Sequence, residues 1–258
     1  MLRVLFVGDV CARPGREKIS ERLASLKKEK QVDFCIVNGE NASHGKGLSL
    51  ACADELYEAG ADFITMGNHT WSNAGIFDYI DDYAIVRPAN FSKDLPGRGY
   101  DVAEAKGVKI GILDLQGRVY MDDSTDNPFE CAKKCVEEIR KETNVIIVDF
   151  HAEASSEKIA LAYYLDGTVS AVIGTHTHVQ TADERILEKG TAFITDAGMT
   201  GPVESIIGMK KNAVVDKFIN NIPRKFEPAE GKAMLNGVLL EIDEITGKAL
   251  KIERVFEK

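Results

Sequence analysis

The chain has 258 residues, 44% of them hydrophobic and 28% charged, with a formal net charge of -9. That length suits one large α/β domain or two small ones, with a sizeable core. The acidic balance, without any Lys/Arg-rich run, argues against a surface that tracks long nucleic acid, and no apolar run approaches the roughly 20 residues that span a bilayer.

In chain order, the first apolar run is Val4–Val7, inside "MLRVLFVGDV". It is too short for a secretion signal, so a cytoplasmic protein is expected. "GREKISERLASLKKEK" follows Pro14, a suitable first-turn residue, and predicts a helix. Phe34–Val37 comes next, then "SLACADELYEAG", a helix with Ser49 as its cap and Gly60 as its stop. Further runs are Phe63–Met66, Ile110–Leu113, Val145–Val148, Ala171–Ile173 and Ala192–Ile194. They are short and rich in Val, Ile and Phe, and read as buried strands. "NPFECAKKCVEEIRKE" and "SSEKIALAYYL" read as helices between them. The end of the chain, "AMLNGVLLEID", "EITGK" and "ALKIERVFEK", reads as two strands joined by a turn. The alternation predicts an α/β sheet with covering helices, and a single domain over residues 1–258. The five cysteines include no C-x-x-C pair, which leaves no zinc knuckle and no disulfide framework. Cys131 and Cys135 are expected on one helix face, and Cys11, close to Asp9, is the thiol to watch.

The polar residues fall at the ends of these runs. Val4–Val7 ends in Gly8-Asp9, Phe34–Val37 in Asn38-Gly39-Glu40-Asn41, and Phe63–Met66 in Gly67-Asn68-His69. Val145–Val148 ends in Asp149-Phe150-His151, and Ala171–Ile173 in Gly174-Thr175-His176-Thr177-His178. Taken singly, each reads as a cap, a turn or a buried polar residue. Recurrence at one topological place reads as a site, because ligands of open α/β sheets bind beyond the carboxyl ends of the strands. His176 and His178 would share a side if their segment is extended. Imidazole, carboxylate and amide oxygen suit manganese, iron, cobalt or zinc. Seven such side chains exceed the needs of one tetrahedral ion, so two adjacent metals are expected, with Glu40 as the bridging carboxylate. Asp114 and Asp196 also end apolar runs and read as turn or cap residues. "SHGKGLS" reads as a mobile loop where His44 or Lys46 would meet phosphate or base, against a plain turn; it lacks the P-loop pattern. Arg13 and Arg16 are candidates to steer an anion.

The ordered set "GDV", "NGENA", "GNHTW", "DFHAE" and "GTHTHVQTAD" resembles the calcineurin-like metallophosphoesterases, and most closely their YmdB-like bacterial branch. The likeness extends to "RPGR", "HGKGL", "VRPANF" and "DAGMTGP". The resemblance implies two β-sheets flanked by helices, in four layers, with a two-metal site at the sheet edge; for the occupants, two divalent transition metals, iron or manganese is expected ahead of zinc or cobalt. Asp9, Glu40, Asn41 and His178 would hold one ion, and Glu40, Asn68, His151 and His176 the other. His69 would be the general acid. The implied activity is hydrolysis of 2′,3′- or 3′,5′-cyclic nucleotides, by in-line attack of a hydroxide shared between the ions. Two departures from the wider superfamily fit this branch. Asp9-Val10-Cys11 lacks the usual histidine of Asp-x-His, and Glu40-Asn41 replaces a Gly-Asp segment.

The partner expected is a small anionic phosphodiester, with no membrane and no long nucleic acid; a homo-oligomer is compatible with the sequence. Two alternatives stay open. One is a phosphomonoesterase or nucleotidase on the same site. The other is a regulatory protein that binds a cyclic nucleotide and turns it over slowly.

Overall fold

The computed structural model describes residues 1–121 and 124–258. The first half of the chain forms β1 (Leu2–Val7), α1 (Ala12–Glu29), β2 (Phe34–Asn38), α2 (Leu50–Glu58), β3 (Phe63–Thr65), β4 (Ile85–Val86), β5 (Tyr100–Ala105) and β6 (Val108–Gln116). The second half forms α3 (Pro128–Ile139), β7 (Ile146–His151), α4 (Ser155–Leu165), β8 (Ala171–Thr175), β9 (Arg185–Ile186), β10 (Ala192–Ile194) and β11 (Gly201–Pro202). It closes with α5 (Lys211–Asn220), β12 (Ala233–Ile242) and β13 (Ala249–Glu257).

The strands make two sheets. One runs β11-β12-β1-β2-β3-β4, with β13 added to β12; the other runs β5-β6-β7-β8-β10-β9. β1 to β4 are mutually parallel, as are β6, β7, β8 and β10. The two-residue period of a strand splits its side chains between two cores. Leu5 and Val7 of β1 join α1 and α2 in one cluster. Val4 and Phe6 meet Ile110, Ile147 and Ile173 of the opposite sheet in a second. Val148, Val172 and Phe193 turn outward to α3 and α4 in a third. Helix, sheet, sheet and helix are therefore stacked in four layers, as the resemblance implied. Burial on both faces is why these strands read as unbroken apolar runs.

Most expected elements are present, with shifted ends. The first helix opens at Ala12 rather than after Pro14; Pro14 lies in the first turn, where its missing N–H leaves no intrahelical bond unmade. Ser49 caps α2, its Oγ accepting the Cys52 N–H at 3.3 Å, and Gly60 takes a φ of +112° just beyond the helix. The C-terminal hairpin pairs β12 with β13 as expected. Five elements, β4, β5, β9, β11 and α5, have no counterpart in the sequence reading; β9 and β11 span two residues each. β4 is two residues long, β5 mixes charged and half-buried residues, and α5 buries only Val214. No helix among the described residues is long and apolar enough to cross a membrane.

Candidate metal centre

Parallel strands put their carboxyl ends on one edge, so the residues that follow β1, β2, β3, β7 and β8 converge there. Asp9 sits two residues past β1, its carbonyl accepting the Thr200 N–H at 2.8 Å. Glu40 and Asn41 follow β2 and are buried. Gly67 lets Asn68 and His69 approach them: a Cβ there would lie 2.3 Å from Glu40 Oε2 and 2.5 Å from His151 Cδ2.

His151 is the hub. Its Nδ1 lies 2.9 Å from Thr175 Oγ1, and that hydroxyl donates to Asp149 Oδ1 at 2.6 Å. With the hydroxyl proton committed to the carboxylate, Thr175 can only accept, so the ring proton belongs on Nδ1. Nε2 then presents a lone pair. It lies 3.0 Å from Glu40 Oε1, 3.0 Å from Asn68 Oδ1 and 3.0 Å from His176 Nδ1. Four acceptor atoms at this spacing repel one another unless positive charge sits among them. Glu40, His151 and His176 indeed place ligand atoms within 4.8 Å of one another.

A second group lies beside the first. His178 donates from Nδ1 to the Ile207 carbonyl at 2.9 Å, which turns Nε2 towards Asn41, 3.1 Å from Nδ2. Asp9 Oδ1 is 3.8 Å from the same nitrogen. This oxygen is buried without a hydrogen-bond partner among the described residues, while Oδ2 accepts the His176 N–H at 3.2 Å. An unsatisfied buried carboxylate oxygen is costly, and a cation in front of it removes that cost. Glu40 touches both groups, since Asn41 Nδ2 donates to its Oε1 at 3.1 Å. All eight residues expected at the site are brought together.

The titration behaviour points the same way. Burial raises the Asp9 carboxyl, with His178 and His151 opposing. Burial also opposes charge on Glu40, yet His151 and His69 hold it well below the usual carboxylate range. Burial disfavours a proton on His151, but Glu40, Asp9 and Asp149 lift it to about 9. Burial and the neighbouring His151 drop His176 to about 3. The side chains thus draw one positive charge into their midst, and a divalent ion supplies more of it. The carboxylate, imidazole and Asn68 oxygen donors fit divalent metal ions, while Asn41 turns its Nδ2 to this side.

His69 differs from the rest. Its Nδ1 faces back to Asn41 Oδ1 at 3.0 Å and Glu40 Oε1 at 3.2 Å, rather than pointing wholly away from the ligands. The ring is partly exposed, and Nε2 has no partner among the described residues.

Several expectations need correction. The His-x-His segment is not extended: β8 ends at Thr175, and His176 and His178 have φ of +95° and +67°. Local turns aim the two rings, not strand alternation. Asp114 is no turn residue, while Asp196 does close a turn onto the Gly198 N–H at 2.9 Å but does more; both are fully buried. Asp114 lies within β6 and accepts the Met66 N–H at 2.9 Å. Asp196 accepts from Lys158 Nζ at 2.8 Å, and from Thr177 N and Oγ1 at 3.0 and 2.7 Å. It therefore pins the residue between the two histidines. Cys11 is no reactive thiol, since burial and Asp9 push it up to about 12. Cys131 and Cys135 do share a helix face, with sulfurs 4.0 Å apart. Arg16 holds the Glu40 loop through the Ala42 carbonyl at 2.5 Å. His44 is exposed in a tight turn, where Ser43 N donates to the Gly47 carbonyl at 2.9 Å.

The sequence reading also missed outer partners. Glu153 Oε2 lies 3.2 Å from His176 Nε2, which turns Nδ1 inward, and Thr175 and the Ile207 carbonyl serve the other two rings. Only Glu153 carried a signal, being two residues beyond His151.

Known proteins share this arrangement of elements. The chain is 51% identical over 256 residues, 99% of its length and 97% of the relative's, to the 2′,3′-cyclic-nucleotide 2′-phosphodiesterase of Bacillus subtilis. Its fold superposes on a crystal structure from Thermus thermophilus with a TM-score of 0.94 and 39% identity, covering 100% of both chains. A phosphatase structure from Mycoplasma pneumoniae gives a TM-score of 0.93 and 41% identity, over 99% of this chain and 92% of that one. A match to the YmdB-like proteins runs over residues 5–255, and the chain belongs to that family.

Proposed function

We propose that the chain is a phosphodiesterase that hydrolyses cyclic nucleotides, acting as one domain. Asp9, Glu40, Asn41 and His178 would hold one divalent ion, and Glu40, Asn68, His151 and His176 a second. Iron or manganese is the expected occupant, since imidazole, carboxylate and amide donors without thiolate suit both. Divalent ions supply charge neutralisation at the phosphoryl oxygens and a water of lowered pKa. The five free cysteines suit a reducing compartment, and we place the protein in the cytoplasm.

The protein's own groups do the rest. Asp149, Glu153 and the Ile207 carbonyl fix the ring orientations of His151, His176 and His178, directly or through Thr175, so that no rotation is needed during turnover. His69 donates from Nδ1 to Glu40 and Asn41, so only the doubly protonated ring carries an Nε2 proton, and that proton would pass to the oxygen that departs as the ester P–O bond breaks. Reach to that oxygen is what the partial exposure of the ring allows.

The observation that carries this reading is the clustering of Glu40, Asn68 and His176 acceptors 3.0 Å from His151 Nε2. It is joined by the activity of the Bacillus subtilis relative, a 2′,3′-cyclic-nucleotide 2′-phosphodiesterase. The test compares bis-p-nitrophenyl phosphate with p-nitrophenyl phosphate on metal-stripped protein refilled with Mn²⁺ or Fe²⁺, followed by 2′,3′- and 3′,5′-cyclic AMP. Metal-dependent cleavage of diesters over the monoester is expected. Preference for the monoester, or no diester cleavage by protein holding two ions, would overturn the proposal.

A further inference from the structure

We propose that the cleft on the far side of His178 is the subsite for the nucleobase of the substrate. This rests on the cyclic-nucleotide reading and adds to it how the base is recognised. The cleft encloses about 590 Å³, within the roughly 300–1,000 Å³ of small-molecule sites. His178 is its common wall with the metal centre: Nε2 faces Asn41, while Nδ1 bonds the carbonyl of Ile207, which lines the cleft. A phosphate at the metal centre and a base in the cleft would be separated by about one imidazole ring, the kind of gap a ribose spans.

The lining suits a flat heteroaromatic ring. Met199 and Met234 offer polarizable, adaptable surface. Phe256 of β13 lines the cleft, 54% exposed; among the described residues only the Lys258 ammonium, 5.3 Å from the centroid, lies over its ring, and it offers a stacking face. Asn236 supplies the polar recognition. It is 2% exposed on β12, and its Oδ1 has no hydrogen-bond partner among the described residues. A buried amide with an unspent acceptor is costly in isolation; Oδ1 is itself shielded from solvent, and a turn of the amide that exchanges Oδ1 and Nδ2 would bring the acceptor to a ring N–H or exocyclic amine of a base. Gln180, also in the cleft, is committed: its Nε2 donates to the carbonyls of Ala197, Gly237 and Val255.

Other cavities fit less well. One of about 450 Å³ is lined by Asp33, Asp62, Asp101 and Glu104, which would repel an anion. Another of about 370 Å³ near His44, Arg13 and Lys210 shares no residue with the metal centre.

The test compares kcat/KM for 2′,3′-cyclic AMP with that for glycerol 1,2-cyclic phosphate, which has the same reacting ring and no base. In the wild type the ratio is expected to exceed 100. Met234→Trp, which fills the cleft, should lower the ratio at least tenfold, mainly through KM for the nucleotide. Phe256→Ala, at an exposed position, should lower it three- to tenfold and keeps the test alive should the tryptophan variant fail to fold. A wild-type ratio near 1, or a ratio unchanged in both folded variants, would overturn the subsite. Failure to cleave either cyclic diester, with both metals bound, would instead overturn the phosphodiesterase reading.

Discussion

Replacing Lys158 with methionine tests how the metal edge is built. Lys158 Nζ and Asp196 Oδ2 are 2.8 Å apart, and both side chains are fully buried. The same carboxylate holds Thr177 by its N–H and its hydroxyl and Gly198 by its N–H at 2.9 Å. Thr177 sits between two histidines with positive φ, a conformation that costs about 1–3 kcal/mol per residue and persists only when its surroundings enforce it. Removing one partner of a buried pair strands the other charge and costs about 3–5 kcal/mol. At about 2–4 °C per kcal/mol for a protein near this size, the expected fall in melting temperature is about 6–20 °C. Outer-shell losses typically weaken metal affinity about 10–100-fold. Calorimetric melting of the metal-loaded protein and titration of the stripped protein with Mn²⁺ read both effects. The double variant Lys158→Met/Asp196→Asn should regain part of the stability but not the metal affinity, because its amide cannot serve Thr177 in the same way. A loss below about 1 kcal/mol with unchanged Mn²⁺ affinity would refute the claim that this pair positions the two histidines.

Four further outcomes are expected. His69→Ala should lower turnover of an alkoxide-leaving diester by about 10²–10⁴-fold with metal content kept; near-normal turnover would remove His69 from the proton transfer. Chelation should abolish activity and destabilise the protein, by about 2.7 kcal/mol relative to metal at 100 times its Kd, as a melting curve at graded Mn²⁺ would reveal. Gly67→Ala should give a folded protein that holds little metal, since the added methyl collides with Glu40 and His151; full metal content by elemental analysis would contradict this. Asp183 should give an acid-side dependence of stability. Burial works to raise it, but Thr195, Thr181 and Arg185 hold it below its ordinary 3.8. A carboxyl depressed in the folded state stabilises above its unfolded value, and that contribution disappears as pH falls below 3.8 through the folded value. Denaturant unfolding between pH 5 and 2.5 should therefore be less pH-dependent in Asp183→Asn, and identical slopes would count against it.

Much of this protein is legible in one dimension. Val4–Val7, Val145–Val148 and Ala171–Ile173 are apolar without alternation because each strand is covered on both faces, and that follows from the residues alone. Asp9, Glu40, Asn41, Asn68, His69, His151, His176 and His178 each follow or end such a run, and parallel strands bring those ends to one edge. The elements left unread were those whose residues lack the pattern. α5 buries a single side chain, and β5 takes its place in the sheet by pairing with β6 rather than from a distinctive run of its own. What only the tertiary structure decided is how the ligands are aimed. The ring of His151 is set through Thr175 and Asp149, that of His178 by the Ile207 carbonyl, and the turn between His176 and His178 by Asp196 and Lys158. These partners are brought together by the packing of α4 and the returning loops. Spacing along the chain records which residues can reach an edge; tautomer, strain and buried charge are properties of the assembled neighbourhood, where desolvation makes each partner's position decisive.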